Sequence, residues 1–443
     1  MILDTDSLAR WLTPLTRAPE DIADVFVEER KETVFTWRDG EVTGLCVTSD
    51  AGLSARWRHG GEQMLVYVSR ADEAGAREAV RALREAAGSA PLPIRSTRAS
   101  EAAENAAETQ AASPRGRRRL AALLSRNMPR HRLRWTLSET VRQVVPSRGE
   151  AVTISRRLFS LEGDFVAASR RGDETRPFSF HAPDAEAAGD ALTEALEEAA
   201  APREKALPCA GGETDVVLAA GCAAMLFHEI LSHPGEAGVE SPLSALAEAR
   251  VAANELEVRD EPGRLDLFGG YEADDEGTLP RAVKLLDAGR IAGRLTDLAH
   301  RGPRGGSSGH GRRARPSDAP LPRGSNVVVA AGNATDDEMA RRLNSGLWIE
   351  QLGGGSVELA SGRFRLSFPR ARRVRRGRLA DEIGPGAIAG EILAALKNIE
   401  GVLGRDVRPY RALGFCARHG QVVPVGGAAP AVLVRRLAAH PGA

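Results

Sequence analysis

Phe227-His228-Glu229-Ile230-Leu231-Ser232-His233 sets two imidazoles around a carboxylate, directly behind the small, apolar run Val216 to Leu226. A neutral imidazole is the commonest protein ligand for zinc, and a neighbouring glutamate can hold a water beside the ion. The pattern H-E-x-x-H places both histidines on one helical face with the glutamate as general base. This chain has one residue more, H-E-x-x-x-H. At about 3.6 residues per turn a five-residue step rotates about 500°, so the rings of a regular helix would point roughly 140° apart. A wider π-type turn, of the kind found mostly at functional sites, would bring them round. Unwinding just before His233 would do the same, and Pro234-Gly235 end the helix there in either case. The competing reading is two ordinary histidines at a helix end.

The surrounding chain bounds what such a helix can serve. Its 443 residues suffice for two or three domains with real cores. Sixty basic and sixty acidic residues cancel, which gives no global pull towards nucleic acid or an anionic membrane. Residues 1–6 lack the basic start and apolar core of a signal peptide. The longest apolar run, Val216 to Phe227, is too short to cross a bilayer, so a cytoplasmic location is expected. Cys46, Cys209, Cys222 and Cys416 are too few for a disulfide framework and read as free thiols or a metal ligand.

Taken in order, residues 1–90 read as an N-terminal α+β domain. An apolar stripe (Leu8, Trp11, Leu12, Leu15) gives a short helix, alternating stretches from Asp24 to Ser69 give strands, and Ala71 to Ala87 gives an amphipathic helix. Residues 91–119 hold almost no large apolar side chain and read as a linker or surface helix. The basic run Arg115 to Arg119 lacks interleaved aromatics and reads as solvated charge rather than a nucleic-acid contact. Residues 120–208 read as a second α+β unit: a short helix at Leu120 to Leu124, several strands, then a helix over Ala185 to Ala200 capped by Asp184. From 209 to 443 strands dominate, with a further helix expected over Ala387 to Asn398. The expected fold class is α+β: sandwich-like α/β domains at the N-terminus, then a β-rich C-terminal domain organised around one central helix.

Two histidines are too few for a catalytic zinc, which usually takes three protein ligands and a water. Glu236 follows His233 by three residues and is one candidate for the third. Cys416, in Leu413-Gly414-Phe415-Cys416-Ala417-Arg418-His419-Gly420-Gln421, is another, since thiolate is a strong zinc ligand. On its own Cys416 also fits a small buried side chain.

Several ordered pieces resemble the TldD/PmbA family of metallopeptidases. His228 to His233 with Glu236 looks like that family's H-E-x-x-x-H helix, and Asp274-Asp275-Glu276-Gly277 with Leu285 to Leu295 resembles its acidic turn and hairpin. Gly309-His310-Gly311-Arg312-Arg313 with Pro322-Arg323-Gly324-Ser325-Asn326 resembles its G-N-G-R-R and P-R-x-x-N segments. Gly353-Gly354-Gly355-Ser356-Val357 with Ser361-Gly362-Arg363-Phe364, and Gly414-Phe415-Cys416 with Gly420 to Gly426, complete the series across residues 215 to 426. The resemblance implies a metal-binding helix, zinc as cofactor, and His228, His233 and Cys416 as its ligands. Because all three persist with Glu229, it implies the TldD-like catalytic type; a metal-free PmbA/TldE-like partner subunit is the alternative. Departures are His310 in place of asparagine, His419 where an acidic residue is common, and the insert Ile230-Leu231-Ser232.

The activity so implied is zinc-dependent hydrolysis of unfolded or leader peptides with low sequence preference. Glu229 would take the proton of the attacking water and pass it to the leaving amine. Glu236 would hold a histidine tautomer from behind. Gly353, Gly354 and Gly355 would form a glycine-rich strand edge where a substrate backbone comes close. Arg313 would face a peptide carboxylate, against the plainer reading of Arg312 and Arg313 as a solvated pair. Asp274 to Glu276 reads as a structural turn. The family's habit implies a dimer, either with itself or with a PmbA/TldE-like chain; the balanced charge and the short apolar run speak against a nucleic-acid or membrane partner.

Overall fold

The computed structural model describes residues 3–39, 41–88, 130–169, 172–200, 206–301 and 306–442. The expected linker at 91–119, the basic run and the short helix at Leu120 to Leu124 lie outside those residues. The chain forms two compact units, one of Met1–Phe178, Asp184–Ala201 and Arg315–Ala319, the other of Ser179–Pro183, Pro202–Ala314 and Pro320–Ala443. No helix among the described residues is long and apolar enough to cross a membrane.

The first unit begins with α1 (Thr5–Leu12), whose N-cap Asp4 accepts from the Ser7 amide; Pro14 then tightens the chain into one 3-10 turn. Six strands follow: β1 (Ile22–Arg38), β2 (Glu41–His59), β3 (Glu62–Val68), β4 (Arg130–Pro146), β5 (Val152–Ser169) and β6 (Gly172–Ala182). They form one antiparallel sheet in the order β3-β2-β1-β4-β5-β6. Helix α2 (Glu73–Ala86) closes a core of Leu8, Leu12, Val25, Val27, Leu53, Val80 and Leu83. Helix α3 (Ala185–Ala200) starts at Asp184, whose Oδ1 accepts from the Ala187 amide at 2.8 Å.

Strands from the two stretches expected as α+β units, 1–90 and 120–208, share this one sheet. Strand β1 pairs with β4 along its length, from Asp24–Pro146 to Arg38–Arg132. So distant a pairing leaves no local signal, because register is set by partners and not by a turn. Strands β1 and β2 run without interruption through the charged Arg30-Lys31-Glu32 and through Gly52.

The second unit carries two larger sheets. One follows the order β15 (Gly354–Glu358), β16 (Arg363–Phe368), β19 (Gly386–Glu391), β25 (Val432–Pro441), β7 (Gly212–Leu218), β14 (Ser345–Gln351), β17 (Arg370–Arg375), β18 (Arg378–Ile383), with β20 (Ile399–Leu403) also on β25. The other follows β10 (Arg290–Ile291), β9 (Val283–Asp287), β8 (Val258–Asp260), β13 (Asn326–Val329), β24 (Gly426–Ala429), β21 (Arg408–Pro409). Two small hairpins stand apart: β11 (Gly311–Arg312) with β12 (Leu321–Pro322), and β22 (Phe415–Arg418) with β23 (Gln421–Pro424). A single core joins Leu226, Phe227, Ile230 and Leu231 to Val216, Ile349, Leu366 and Val434 of the first sheet and to Val258, Leu286 and Val327 of the second. A helix apolar on every side belongs inside a core, and here it is the one around which both sheets pack. The segment expected as one helix from Ala387 to Asn398 is β19 followed by a helix over Ile392–Asn398. The mixed, strand-rich α+β class stands.

Candidate metal centre

The histidine helix begins at Gly221, whose φ of 85° and close approach to the Pro409 carbonyl exclude a side chain. Regular α geometry runs over Ala223–Phe227 and then widens into a π turn over His228–Ser232. The His233 amide donates to the His228 carbonyl, the i to i+5 bond that absorbs the extra residue. The two rings consequently meet, with centroids 4.7 Å apart.

Cys416 reaches the same place on hairpin β22–β23, where it faces inward opposite Val423 while Phe415 and Val422 face out. Its Sγ lies 3.2 Å from His233 Nε2. One donor atom from each of His228, His233 and Cys416 falls within 4.8 Å of the others, and all three residues are buried. Burial alone would push the thiol up, but the adjacent His228 and His233 outweigh it and hold Cys416 well below the ordinary thiol range. Burial opposes the charge of His233 too, yet the sulfur and Glu236 raise it well above an ordinary imidazole.

These residues fit a metal. His228 Nδ1 is buried with no hydrogen-bond partner, which is costly unless something takes its lone pair or proton. Two imidazoles and a thiolate are a zinc-type donor set, and bonds of about 2.0–2.3 Å require donors packed about this closely.

Glu229 is also buried, 6 % exposed, and burial pushes its carboxyl up. A Cβ on Gly355 would sit 2.7 Å from Glu229 Oε1, so a side chain there would have to displace the carboxylate. Gly353 and Gly354 lie on the same segment and face Ser367. Glu236 is fully buried behind His233, its Oε1 3.7 Å from Nδ1. That carboxylate also accepts from the Gly324 amide at 3.1 Å and pairs with Arg418 through its other oxygen. Burial works against its charge, and His233, Arg323 and Arg418 overcome it and lower its pKa.

Arg312 and Arg313 are not solvated: they are 3 % and 1 % exposed. Arg312 donates to the Gly324 and Pro424 carbonyls, and Arg313 to the Asp275 carbonyl at 3.1 Å. Asp274, Asp275 and Glu276 accept from the backbone amides of Thr278, Gly311, Arg313 and Leu298. A turn whose carboxylates are used this way is scaffold. Arg323 belongs to the site as well, although its P-R-x-x-N segment carries no local sign of it. It is fully buried, and its Nη2 donates to Cys416 O at 2.8 Å and to Cys416 Sγ at 3.1 Å.

Fold and donor set together define an α+β chain with one buried His–His–Cys cluster beside a carboxylate. The chain belongs to the TldD/PmbA family of metallopeptidases: the PmbA/TldA metallopeptidase C-terminal domain matches residues 211–440, and domain 1 of the same family matches residues 23–87. A metalloprotease of Methanothermobacter thermautotrophicus is 29 % identical over 52 % of this chain and 51 % of its own. A TldD homologue metalloprotease of Buchnera aphidicola is 27 % identical over 51 % of this chain and 48 % of its own. The match thus spans about half the length of these curated relatives. In fold, the crystal structure of TldE from Thermococcus kodakarensis is similar, with a TM-score of 0.71 at 16 % identity over 98 % of this chain and 99 % of that one.

Proposed function

We propose that the chain is a TldD-like catalytic subunit, a zinc-dependent peptidase acting on extended, unfolded peptide segments. The observation that carries this reading is the convergence of His228, His233 and Cys416 within 4.8 Å, with Glu229 at the neighbouring ring. When bound, zinc would supply Lewis acidity, polarising the scissile carbonyl and acidifying water. His228, His233 and Cys416 would hold it, and Glu236 would fix the orientation of the His233 ring through Nδ1.

Glu229 would do the proton work. The water oxygen bonds to the carbonyl carbon while Glu229 takes a water proton; the C–N bond then breaks as Glu229 returns that proton to the amine nitrogen. A carboxyl raised by burial is better matched to such transfers than a solvated one. Substrate would lie along β15, which ends the nine-stranded sheet and has one strand partner among the described residues. An extended peptide can add to such an edge through its backbone, giving affinity with little sequence preference. Gly355 brings that edge against Glu229. Arg313, which serves Asp275, is left out of the substrate reading. A dimer, with itself or with a PmbA/TldE-like chain, belongs to the same proposal.

The test is cleavage of an unstructured peptide by wild type and by Glu229→Gln, with and without chelator, with fragments identified by mass spectrometry. Wild type should cleave and lose activity with chelator. Glu229→Gln should keep its metal and fall about 10²- to 10⁴-fold in kcat. Undiminished turnover in that variant would remove Glu229 as the base, and wild type that binds no metal would leave a scaffold subunit.

A further inference from the structure

We propose that Arg323 is the positioning residue for the thiolate, and that through Glu236 it orients both ends of the donor set at once. This rests on the metal-site reading above and goes beyond it in naming what sets the sulfur. A single nitrogen, Arg323 Nη2, donates to both the carbonyl oxygen (2.8 Å) and the sulfur (3.1 Å) of Cys416. A donor shared by the backbone and side chain of one residue fixes the rotation about its Cα–Cβ bond, and so the direction of the sulfur. The other arm, Nη1, donates to the Gln421 carbonyl at 3.2 Å, on the opposite strand of the same hairpin. The guanidinium therefore clamps β22 to β23 and aims the sulfur with one rigid plane.

On its other side the plane makes an ion-pair contact, not a hydrogen bond, with Glu236. Arg323 Nε lies 3.6 Å from Glu236 Oε1, the oxygen that is 3.7 Å from His233 Nδ1. With the 3.2 Å contact from Cys416 Sγ to His233 Nε2, four side chains make a closed ring: His233, Glu236, Arg323, Cys416. The Gly324 amide, one residue on, also donates to Glu236 Oε1 at 3.1 Å, so the chain carrying Arg323 is pinned at the same oxygen. Arg323 and Glu236 are both 0 % exposed. A buried guanidinium is tolerated only where anions and acceptors compensate it, and here they are the carboxylate, the sulfur and two carbonyls. Lysine cannot replace this: an ammonium is a point charge without the planar fork that reaches several acceptors together.

Hydrogen bonds to a ligating thiolate lower the energy of its donor electrons, and partners of this kind typically change metal affinity by roughly 10- to 100-fold. The experiment compares wild type, Arg323→Lys and Arg323→Gln loaded with cobalt(II), reading the sulfur-to-cobalt charge-transfer band and the affinity in competition with a chelator. Both variants should bind roughly 10- to 100-fold more weakly, and the band should move to longer wavelength as the sulfur loses its donor. A purely structural arginine would change the thermal midpoint and leave the band where it was; an unmoved band with unchanged affinity overturns the proposal. If the variants do not fold, a crystal structure of metal-loaded wild type decides: Nη2 should remain in hydrogen-bond contact with Sγ, and a separation beyond about 4 Å overturns it. Failure of wild type itself to bind cobalt would instead strike the metal-site reading.

Discussion

Two buried histidine clusters lie in the second unit, and they differ in how their polar atoms are spent. Around His310, every polar edge has a protein partner. Nδ1 meets Ser308 Oγ at 2.8 Å and Nε2 meets Asp260 Oδ1 at 3.1 Å, while Asp260 also accepts from the Ser325 amide and the hydroxyls of Ser232 and Ser325. Around His228 the accounts do not close: Nδ1 is orphaned, and a sulfur lies between imidazoles where no structural need demands one. A serine, a histidine and an aspartate in contact look like catalytic machinery by composition, yet their saturation marks them as scaffold. A buried ring nitrogen without a partner, beside a second imidazole and a sulfur, is what sets the His228 cluster apart. The clusters also cooperate, because Ser232, the last residue of the π turn, is anchored on Asp260.

The contrast breaks first on stability. In chelator-treated protein, His310→Leu leaves the Asp260 carboxylate buried without one of its partners and should cost about 3 kcal/mol or more, whereas His228→Leu removes an unsatisfied atom and should cost less than about 1 kcal/mol. Thermal or urea midpoints measure both; equal losses would erase the distinction.

Another buried histidine sharpens it through pH. His181 packs between Phe268 and Phe415, with ring centroids 5.0 and 5.2 Å away. Burial pushes its imidazole down to about 4. Between that value and the ordinary value near 6.5 the unfolded chain binds more protons than the folded one. The contribution is therefore whole above about pH 6.5 and is lost as pH falls towards 4, up to about 3 kcal/mol. Urea midpoints at pH 7 and pH 5 should drop more in wild type than in His181→Phe; parallel drops would refute the assignment.

The smallest effect concerns the strand beside the base. Gly355→Ala places a methyl against Glu229 and should lower kcat about tenfold, or about 1.4 kcal/mol of barrier, with metal content unchanged. Full activity in that variant would detach the β15 edge from catalysis.

Much of this is legible in the amino-acid sequence. For both rings to meet, the five-residue histidine spacing needs a π turn or an unwound end, and the turn is what forms. Asp184 and Pro14 mark local events that depend only on neighbouring residues. What the sequence hides is long-range. The charged Arg30-Lys31-Glu32 interrupts the apolar alternation, but half-exposed positions in a paired strand tolerate it. Ala387 to Asn398 holds small residues that suit either state, and pairing of β19 with β16 and β25 decides its first half. Cys416 enters as third ligand by family resemblance; nothing local separates it from Glu236. Arg323 and Asp260 cannot be valued from sequence, since a loop arginine and a strand-end aspartate look solvated until partners dozens of residues away close over them.

The most direct measurement is metal stoichiometry by mass spectrometry of the folded protein, in wild type and Cys416→Ser after equilibrium dialysis against limiting zinc. The account predicts about one ion per chain in wild type and a loss of at least roughly tenfold in affinity in the variant, with the fold intact. Wild type that stays metal-free, or a Cys416→Ser protein that binds as tightly as wild type, would contradict it.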